Sequence, residues 1–527
     1  MTHVPGSGDL SPTSRNAQLG RNVASMYVPR ILAAATTFFL FPFIAHHIGL
    51  QDYGTWLVIS STTMFFLLDF GMSSAVTRYV AQAEAKDDTE TINRVVSTSL
   101  VFFGLLGVIL GVFFLVTMTL LLPTLNIPEE NRTLAFSLVC LVVVNHFLIG
   151  MPLSVFRNAI AGVHRYDVTN LLLVGQLTIR ASLIVLFVLG GAGIMVVALV
   201  EAVAATVMAV GGVLFAYKLI PGLNVSVSAA SWTLLKSMAP YSAQVFVIGI
   251  SSLVILQTDN LIVGSFLSVA MVTIYAAAFR LYSVCRELTA SAMRALVPDA
   301  SRARALGEDR RLRHFLLRGT KYSNALVLIV GVPTMVFAEP MLVTWAGPQF
   351  AEATLVTQVL IASLIVNNNH LIAASLLTGM GRIGAFAAFH VIWAVANVVL
   401  SVVLVGRVGL VGVALGTAIP IICLEPLYIR TALRELDVSA KAFLSQAVGK
   451  TLLPGTAAAT PLAIAVWTLS PQGFWAAVAL SAMYVVAFLT IFAIVGLDDE
   501  ERSRAMSAIR RFKAIRTMRP TLARVTR

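Results

Sequence analysis

Arg30, Asp69, Arg180, Glu201, Asp259 and Arg280 each lie inside a long apolar run. A charge in such surroundings is costly, so each is first a candidate for function. Arginine offers a persistent charge and a two-pronged fork that matches phosphate or carboxylate. A carboxylate in the same setting can balance that charge or take up a proton or a sodium ion. Arg280, Glu287 and Arg294 follow at seven-residue steps, nearly two helical turns, and so share one helix face. Arg78 occupies the corresponding end of an earlier run. Arg286, Glu287 and Arg294 also fit a simpler reading, as side chains that snorkel to lipid headgroups, for which Arg280 is too deep. Arg180 and Glu201 flank a tight turn near Gly191, eleven residues before it and ten after. At about 1.5 Å per residue both sit roughly 15 Å from the turn and can meet, either as a structural ion pair or as a coupling site that alternates partners. Asp259 belongs to the polar run Gln257 to Asn260, which reads as a cation site, a helix break or simply a helix end. Asn367, Asn368, Asn369 and His370 interrupt a later run in the same way.

The elements that carry these residues follow from composition. Of 527 residues, 58% are hydrophobic and 12% charged, against about 25% charged in a soluble domain. Such a chain cannot dress a water-facing surface, and lipid must solvate most of it. Fourteen apolar runs are legible, over 24–47, 54–80, 95–122, 133–156, 169–190, 193–217, 236–262, 268–296, 315–338, 351–378, 384–405, 408–430, 448–468 and 473–496. They are too long for barrel strands, and backbone groups in lipid must be satisfied internally, so the spans are helices. Pro29, Pro42, Pro240 and Pro333 can kink them. Cys140, Cys285 and Cys423 are read as small buried hydrophobes.

Net charge is +12, and its placement argues for membrane topology over nucleic acid. Of the 37 Lys and Arg residues, only Arg132 and Arg407 fall in outer turns when the N-terminus is inside, and Arg30, Arg180 and Arg280 fall within spans. The rest lie on one side, which the positive-inside rule makes cytoplasmic. The densest clusters are Arg302 to Lys321 and the tail from Arg502. Holding topology and touching anionic headgroups account for them.

Gly190 to Leu199 and Gly406 to Leu415 share the pattern G-x-x-G-[I/L]-x-x-V-A-L at an offset of 216 residues. Arg78 and Arg294 are also 216 apart, and Ala161–Arg165 matches Thr378–Arg382 at 217. That offset covers six helices, an even number, so the halves form a parallel repeat. The expected fold is all-α and polytopic, with about fourteen transmembrane helices. Residues 1–20 are a disordered cytoplasmic tail. Residues 21–217 form a first six-helix lobe, and 218–235 a cytoplasmic linker. Residues 236–430 form the second lobe, 431–447 another cytoplasmic linker, 448–496 an appended helix pair and 497–527 a basic cytoplasmic tail.

Several chemistries find no support. Gly449-Lys450-Thr451 resembles the end of a phosphate loop, but Leu444 stands where such a loop needs glycine. No closely spaced Cys/His metal set appears. Outer loops are short, which argues against a membrane enzyme, and no ATP site accompanies the spans.

The order Asn22-Val23 to Pro42, Ile48-Gly49-Leu50-Gln51-Asp52-Tyr53-Gly54-Thr55-Trp56, Leu68-Asp69-Phe70-Gly71 and Arg78-Tyr79 resembles the polysaccharide-transporter (Wzx-like) family of the multidrug/oligosaccharidyl-lipid/polysaccharide exporter superfamily. Gln257 to Gly264, followed by Tyr275 and Arg280-Leu281, resembles the start of its second half. The resemblance covers about residues 20 to 496. It implies alternating access between two lobes and flipping of a polyprenyl-diphosphate-linked oligosaccharide from inner to outer leaflet. It implies no catalysis and no cofactor beyond coupling to H+ or Na+. By it, Arg30, Arg78 and Arg280 fall on the spans that bind substrate; the pattern of interior charges adds Arg294 to that set and leaves Asp69, Glu287, Asp259, Arg180 and Glu201 to balance charge or couple to an ion. Expected partners are the lipid-linked oligosaccharide, anionic lipids, and a polymerase and glycosyltransferases of polysaccharide assembly, with no nucleic acid. The expected location is the cytoplasmic membrane with both termini inside. Rival readings are a cation-coupled multidrug exporter of the same superfamily, and a membrane enzyme or a scaffold of polysaccharide assembly.

Overall fold

The computed structural model describes residues 32–66, 69–294, 300, 303–304, 306–380, 384–469, 473–503 and 507. The expected tail 1–20, Pro29, Arg30 and all but residue 507 of the basic tail beyond 503 lie outside them, as does the side chain of Arg294. Among the described residues every regular element is helical.

Each of the fourteen apolar runs holds a helix or a broken helix. The order is α1 (Leu32–Ile48), α2 (Leu50–Phe66), α3 (Met72–Glu84), α4 (Thr89–Leu121), α5 (Arg132–Val142), α6 (Met151–Gly162), α7 (Tyr166–Leu189), α8 (Ile194–Leu219), α9 (Trp232–Phe266) and α10 (Val269–Arg294). Then follow α11 (Asp309–Val336), α12 (Ala338–Ala346), α13 (Thr354–Gly379), α14 (Gly384–Val408), α15 (Leu410–Glu435), α16 (Ala440–Phe443), α17 (Gly449–Leu469) and α18 (Phe474–Ile491). Ten helical stretches among the described residues are long and apolar enough to cross a membrane, with α11 and α12 an eleventh if the bent pair is one span. The chain is a polytopic all-α membrane protein. Its outward surface agrees. On α4, Phe103, Gly107, Gly111, Phe114 and Met118 are buried, whereas Leu105, Ile109, Val112, Val116 and Leu120 are exposed. An apolar face left open in this way suits lipid.

Contacts divide the chain into two compact units. The first comprises residues 1–280, 345–353 and 390–417, the second 281–344, 354–389 and 418–527.

In the first unit, Val76, Val80, Val96, Phe103, Val155 and Ile160 form a core between α3, α4 and α6. Close approach depends on small residues. A side-chain carbon at Gly54 on α2 would overlap the carbonyl of Val269 at the start of α10, and one at Gly416 would overlap Ser401 on α14. The run expected as one span over 54–80 is broken between α2 and α3. Phe70 and Gly71 take positive φ of 51° and 76°, and Asp69 ends the break by capping α3. Its Oδ1 accepts from the Gly71 amide and its Oδ2 from the Ser73 amide, both at 2.9 Å. Those donors would otherwise go unsatisfied at a helix start. The run over 133–156 is longer than expected: α5, a π turn at Val143–Gly150 and α6 carry it to Gly162.

In the second unit α11 and α12 meet at a 76° bend. Pro333 lies inside α11 without ending it. The cause is Pro340, whose ring excludes the Val336 carbonyl that a continuous helix would offer it. Leu328, Leu462, Tyr484, Phe488 and Phe492 join α11 to α17 and α18. Part of the basic cluster read as headgroup contacts is instead paired within the protein. Lys321, 1% exposed, bonds Glu501 and lies 3.8 Å from Asp498. Arg318 reaches Glu500 at 2.7 Å and Glu501 at 3.3 Å, and Lys450 bonds Asp498. The lysine of the phosphate-loop look-alike is thus spent on a carboxylate. The cysteines only partly fit their reading: Cys285 is buried, Cys140 half-buried and Cys423 exposed, because an apolar helix face toward lipid suits a thiol as well as a core does.

The hydrogen bond from Lys450, aided by the charge of Lys321, holds the Asp498 carboxyl below its ordinary value despite partial burial. A carboxylate depressed in the folded state stabilises above its unfolded value and loses that contribution as pH falls through the folded one. Protection factors over residues 497–503, each referenced to the intrinsic exchange rate at its own pH, should therefore be high at neutral pH and fall below about pH 4. Unchanged protection across that range would show that the ion pairs do not hold the segment.

Candidate functional site

Arg280, the deepest charge on α10, is held by aromatic rings. Its guanidinium lies 5.9 Å from the centroid of Phe41, a fully buried α1 side chain. Phe41 stacks on Trp345 at 5.4 Å and meets Tyr53 at 5.5 Å, and Trp345 stacks on Phe38 at 4.4 Å. An arginine over a ring face gains cation–π attraction and keeps its donors free for another group. Arg280 makes no ion pair with a described residue. It does lie within Coulombic reach of Glu201, Arg180 and Tyr53.

Arg180 on α7 and Glu201 on α8 meet, Nη2 donating to Oε1 at 2.7 Å. The side chains are 27% and 24% exposed, so the pair is partly open. The sequence treats this pair and Arg280 as separate features, whereas in the structure they share one field of two positive charges and one negative. Position along the chain could not reveal this, because α1, α2, α7, α8 and α10 converge only in three dimensions.

Asp259 anchors the second polar constellation. It lies within unbroken α9, so the polar run at Gln257–Asn260 neither breaks nor ends the helix, which continues to Phe266. The carboxylate is 2% exposed. Tyr275 Oη donates to its Oδ2 at 2.5 Å, and Thr417 Oγ1 donates to the same atom at 3.0 Å. Asn397 Nδ2 donates to Thr417 Oγ1 at 2.8 Å. Trp393 Nε1 donates to the Thr417 carbonyl at 3.3 Å. Among the described residues, buried Asp259 Oδ1 and Asn397 Oδ1 have no hydrogen-bond partner. Buried polar atoms normally find partners, so these two acceptors leave room for a proton or a small hard cation. Tyr275, Asn397 and Thr417 complete a set in which the sequence singles out Asp259 alone. Their signal is one polar residue among several on each of α10, α14 and α15, a weak cue without knowing which faces oppose α9.

The remaining candidates are dispersed. Asp69 lines a cavity of about 550 Å³ with Ser73, Asn145, His146, Arg157 and Gln176, but its oxygens already serve the α3 amides. Arg157 in that cavity forms no hydrogen bond or ion pair with a described residue. The sequence sets it just past the end of a span, yet α6 runs on to Gly162. Arg78 lines a different cavity, of about 390 Å³, with Ser73, Thr77, Asn158 and His164. Glu287 is exposed two turns beyond Arg280 on α10, and Arg294 closes that helix. The polar run in α13 is also unbroken: Asn368 donates to Ser323 Oγ at 2.9 Å and to Asn324 Oδ1 at 2.8 Å. The His370 amide donates to Glu425 Oε1 at 3.0 Å.

Three comparisons bear on this arrangement. The sequence profile of a family described as "Polysaccharide biosynthesis protein" matches residues 19–304. Over 197 residues the chain is 24% identical to the probable low-salt glycan biosynthesis flippase Agl15 of Haloferax volcanii. That match spans 37% of this chain and 42% of the relative, less than half of its length. The fold is similar to lipid II flippase MurJ in an inward closed conformation, with a TM-score of 0.64 and 12% identity over 90% of this chain and 98% of that one. It is equally similar to the inward-facing conformation of a multidrug resistance MATE family transporter of the MOP superfamily. There the TM-score is 0.64, with 16% identity over 79% of this chain and 98% of the other.

Breaking a buried ion pair on one side costs more than removing it whole, because the surviving charge is left uncompensated. Arg180→Met should lower the thermal midpoint in detergent by several degrees, and Arg180→Met/Glu201→Leu should recover most of it. A double variant no better than the single one would show that the pair is not an isolated structural unit.

Proposed function

Because the chain belongs to the polysaccharide biosynthesis protein family, we propose that it translocates a polyprenyl-diphosphate-linked oligosaccharide from the inner to the outer leaflet by alternating access. The single observation that carries this reading is Arg280. It is an interior arginine seated on Phe41, with no described carboxylate bonded to it and a second arginine, Arg180, in its field. An anionic diphosphate or sugar acid supplies the missing negative charge. Arg30, Arg78 and Arg294 are assigned to the same cargo, and Arg157 joins them because it lines a cavity without a hydrogen-bond or ion-pair partner among the described residues. A pocket for cationic drugs would need the opposite balance.

In this reading Asp259, with Asn397 and Thr417, takes up H+ or Na+, and that exchange drives the return of the empty carrier. Asp69, Glu287 and the Arg180–Glu201 pair balance the arginines. The halves 21–217 and 236–430 act as the two lobes, followed by the helix pair 448–496. The protein works without catalysis in the cytoplasmic membrane, with both termini inside as the basic residues require. Its cargo passes from glycosyltransferases on the inner face to a polymerase on the outer.

Two experiments test the reading in proteoliposomes carrying a fluorescent polyprenyl-diphosphate oligosaccharide. Arg30→Gln/Arg280→Gln should reduce the flipping rate by about 100-fold at normal protein levels, as expected when two charged contacts of about 1.5 kcal/mol each are lost. Wild-type flipping by that variant would sink the cargo assignment. Asp259→Asn can still accept from Tyr275 and Thr417, so it should fold and flip slowly. Its rate should no longer respond to a Na+ or proton gradient, and a preserved gradient response would remove Asp259 from coupling.

A further inference from the structure

A large cavity in the second unit takes no part in the transport reading. It encloses about 900 Å³ beside the end of α15, the short α16 and the π turn Leu444–Val448 that leads into α17. Ile429, Leu433, Phe443 and Val448 give it an apolar wall. Arg430 and Arg434, one helical turn apart, also line it and are exposed. Neither arginine makes a hydrogen bond or ion pair with a described residue. The acids lining the cavity are already engaged. Asp437 accepts from Arg313 at 2.8 Å. Glu425, 6% exposed, accepts from the His370 amide and faces its Nδ1 at 3.4 Å. The charge left to an occupant is therefore positive, and it stands at the end of an otherwise apolar space.

That combination describes a lipid with a charged head. Residues 431–447 join α15 to α17 on the side that the basic residues mark as cytoplasmic, where anionic headgroups concentrate. We propose that this cavity holds one anionic phospholipid of the inner leaflet. Arg430 and Arg434 hold its phosphate, and its acyl chains lie along Ile429, Leu433, Phe443 and Val448. The occupant is a phospholipid because the arginines sit in the last turns of α15, at headgroup depth, where such a lipid is always present. The inference rests on the orientation and is independent of the cargo.

The test is native mass spectrometry of the full-length protein extracted from vesicles of phosphatidylcholine with a minority of phosphatidylglycerol. The wild type should retain one phosphatidylglycerol. Arg430→Gln/Arg434→Gln should retain it roughly 30-fold more weakly, given two basic contacts to an anionic surface, while melting normally in lipid-free detergent. Arg430→Lys/Arg434→Lys should keep most of the binding. Should the glutamine pair fail to fold, Leu444→Glu, at an exposed position on the cavity wall, should lower retention through charge repulsion alone. Equal retention by wild type and the charge-altered variants would overturn the proposal. So would equal retention of phosphatidylcholine, or displacement by polyprenyl phosphate or inorganic phosphate at matched concentration. Loss of transport in Arg30→Gln/Arg280→Gln with the lipid still bound would separate this site from the cargo path.

Discussion

In hydrocarbon, no water is available to satisfy a polar group that the protein leaves unpaired. Each peptide unit must bond within its own helix, and each charge at depth must find another charge, a ring or a ligand. The helix breaks obey this rule. Where α2 ends, Asp69 turns both oxygens onto the amides that open α3. Where α11 ends, Pro340 removes a donor at the point where the chain bends. The second unit applies the rule to lysine: Lys321 is almost wholly buried only because Glu501 and Asp498 come back from beyond α18 to meet it.

The same rule separates structural charges from those available for work. Lys321 and Asp69 are fully engaged and hold the fold. Among the described residues, Arg280 has a ring beneath it and no ion-pair partner, Arg157 lines a cavity with no hydrogen-bond or ion-pair partner, and Asp259 has one oxygen without a hydrogen-bond partner. Groups left partly satisfied inside a membrane are what a carrier needs, since an ion or anionic cargo can complete them and be released again. The same fold occurs in MurJ and in a MATE transporter.

Close helix contacts set where those groups stand. Gly54 lets α2 lie against the start of α10, beside Tyr53 and about three turns before Arg280. Gly416 brings α15 against α14, one residue from Thr417 and one turn from Asn397. A larger residue at either position would force these helices apart and shift the polar atoms they carry. Polar networks at membrane depth tolerate such shifts poorly, because no water fills the gap.

The all-α membrane class and the fourteen helical runs are legible in the amino-acid order alone. These follow from composition and from periodicity within single segments, which act locally. The sequence also marked Arg180 and Glu201 as able to meet, since a tight turn sets both at equal depth. It gave no sign that Asp69 caps a helix, that Pro340 and not Pro333 makes the bend, or that Lys321 and Arg318 are neutralised from residues far along the chain. It isolated Asp259 but not Tyr275, Asn397 and Thr417, and it passed over Arg157. Those features depend on which helix faces oppose one another, and a uniformly apolar helix carries little record of its facing. They emerge when the helices pack, because in lipid the choice of neighbour rests on small-residue packing and on a few polar atoms more than on any hydrophobic stripe.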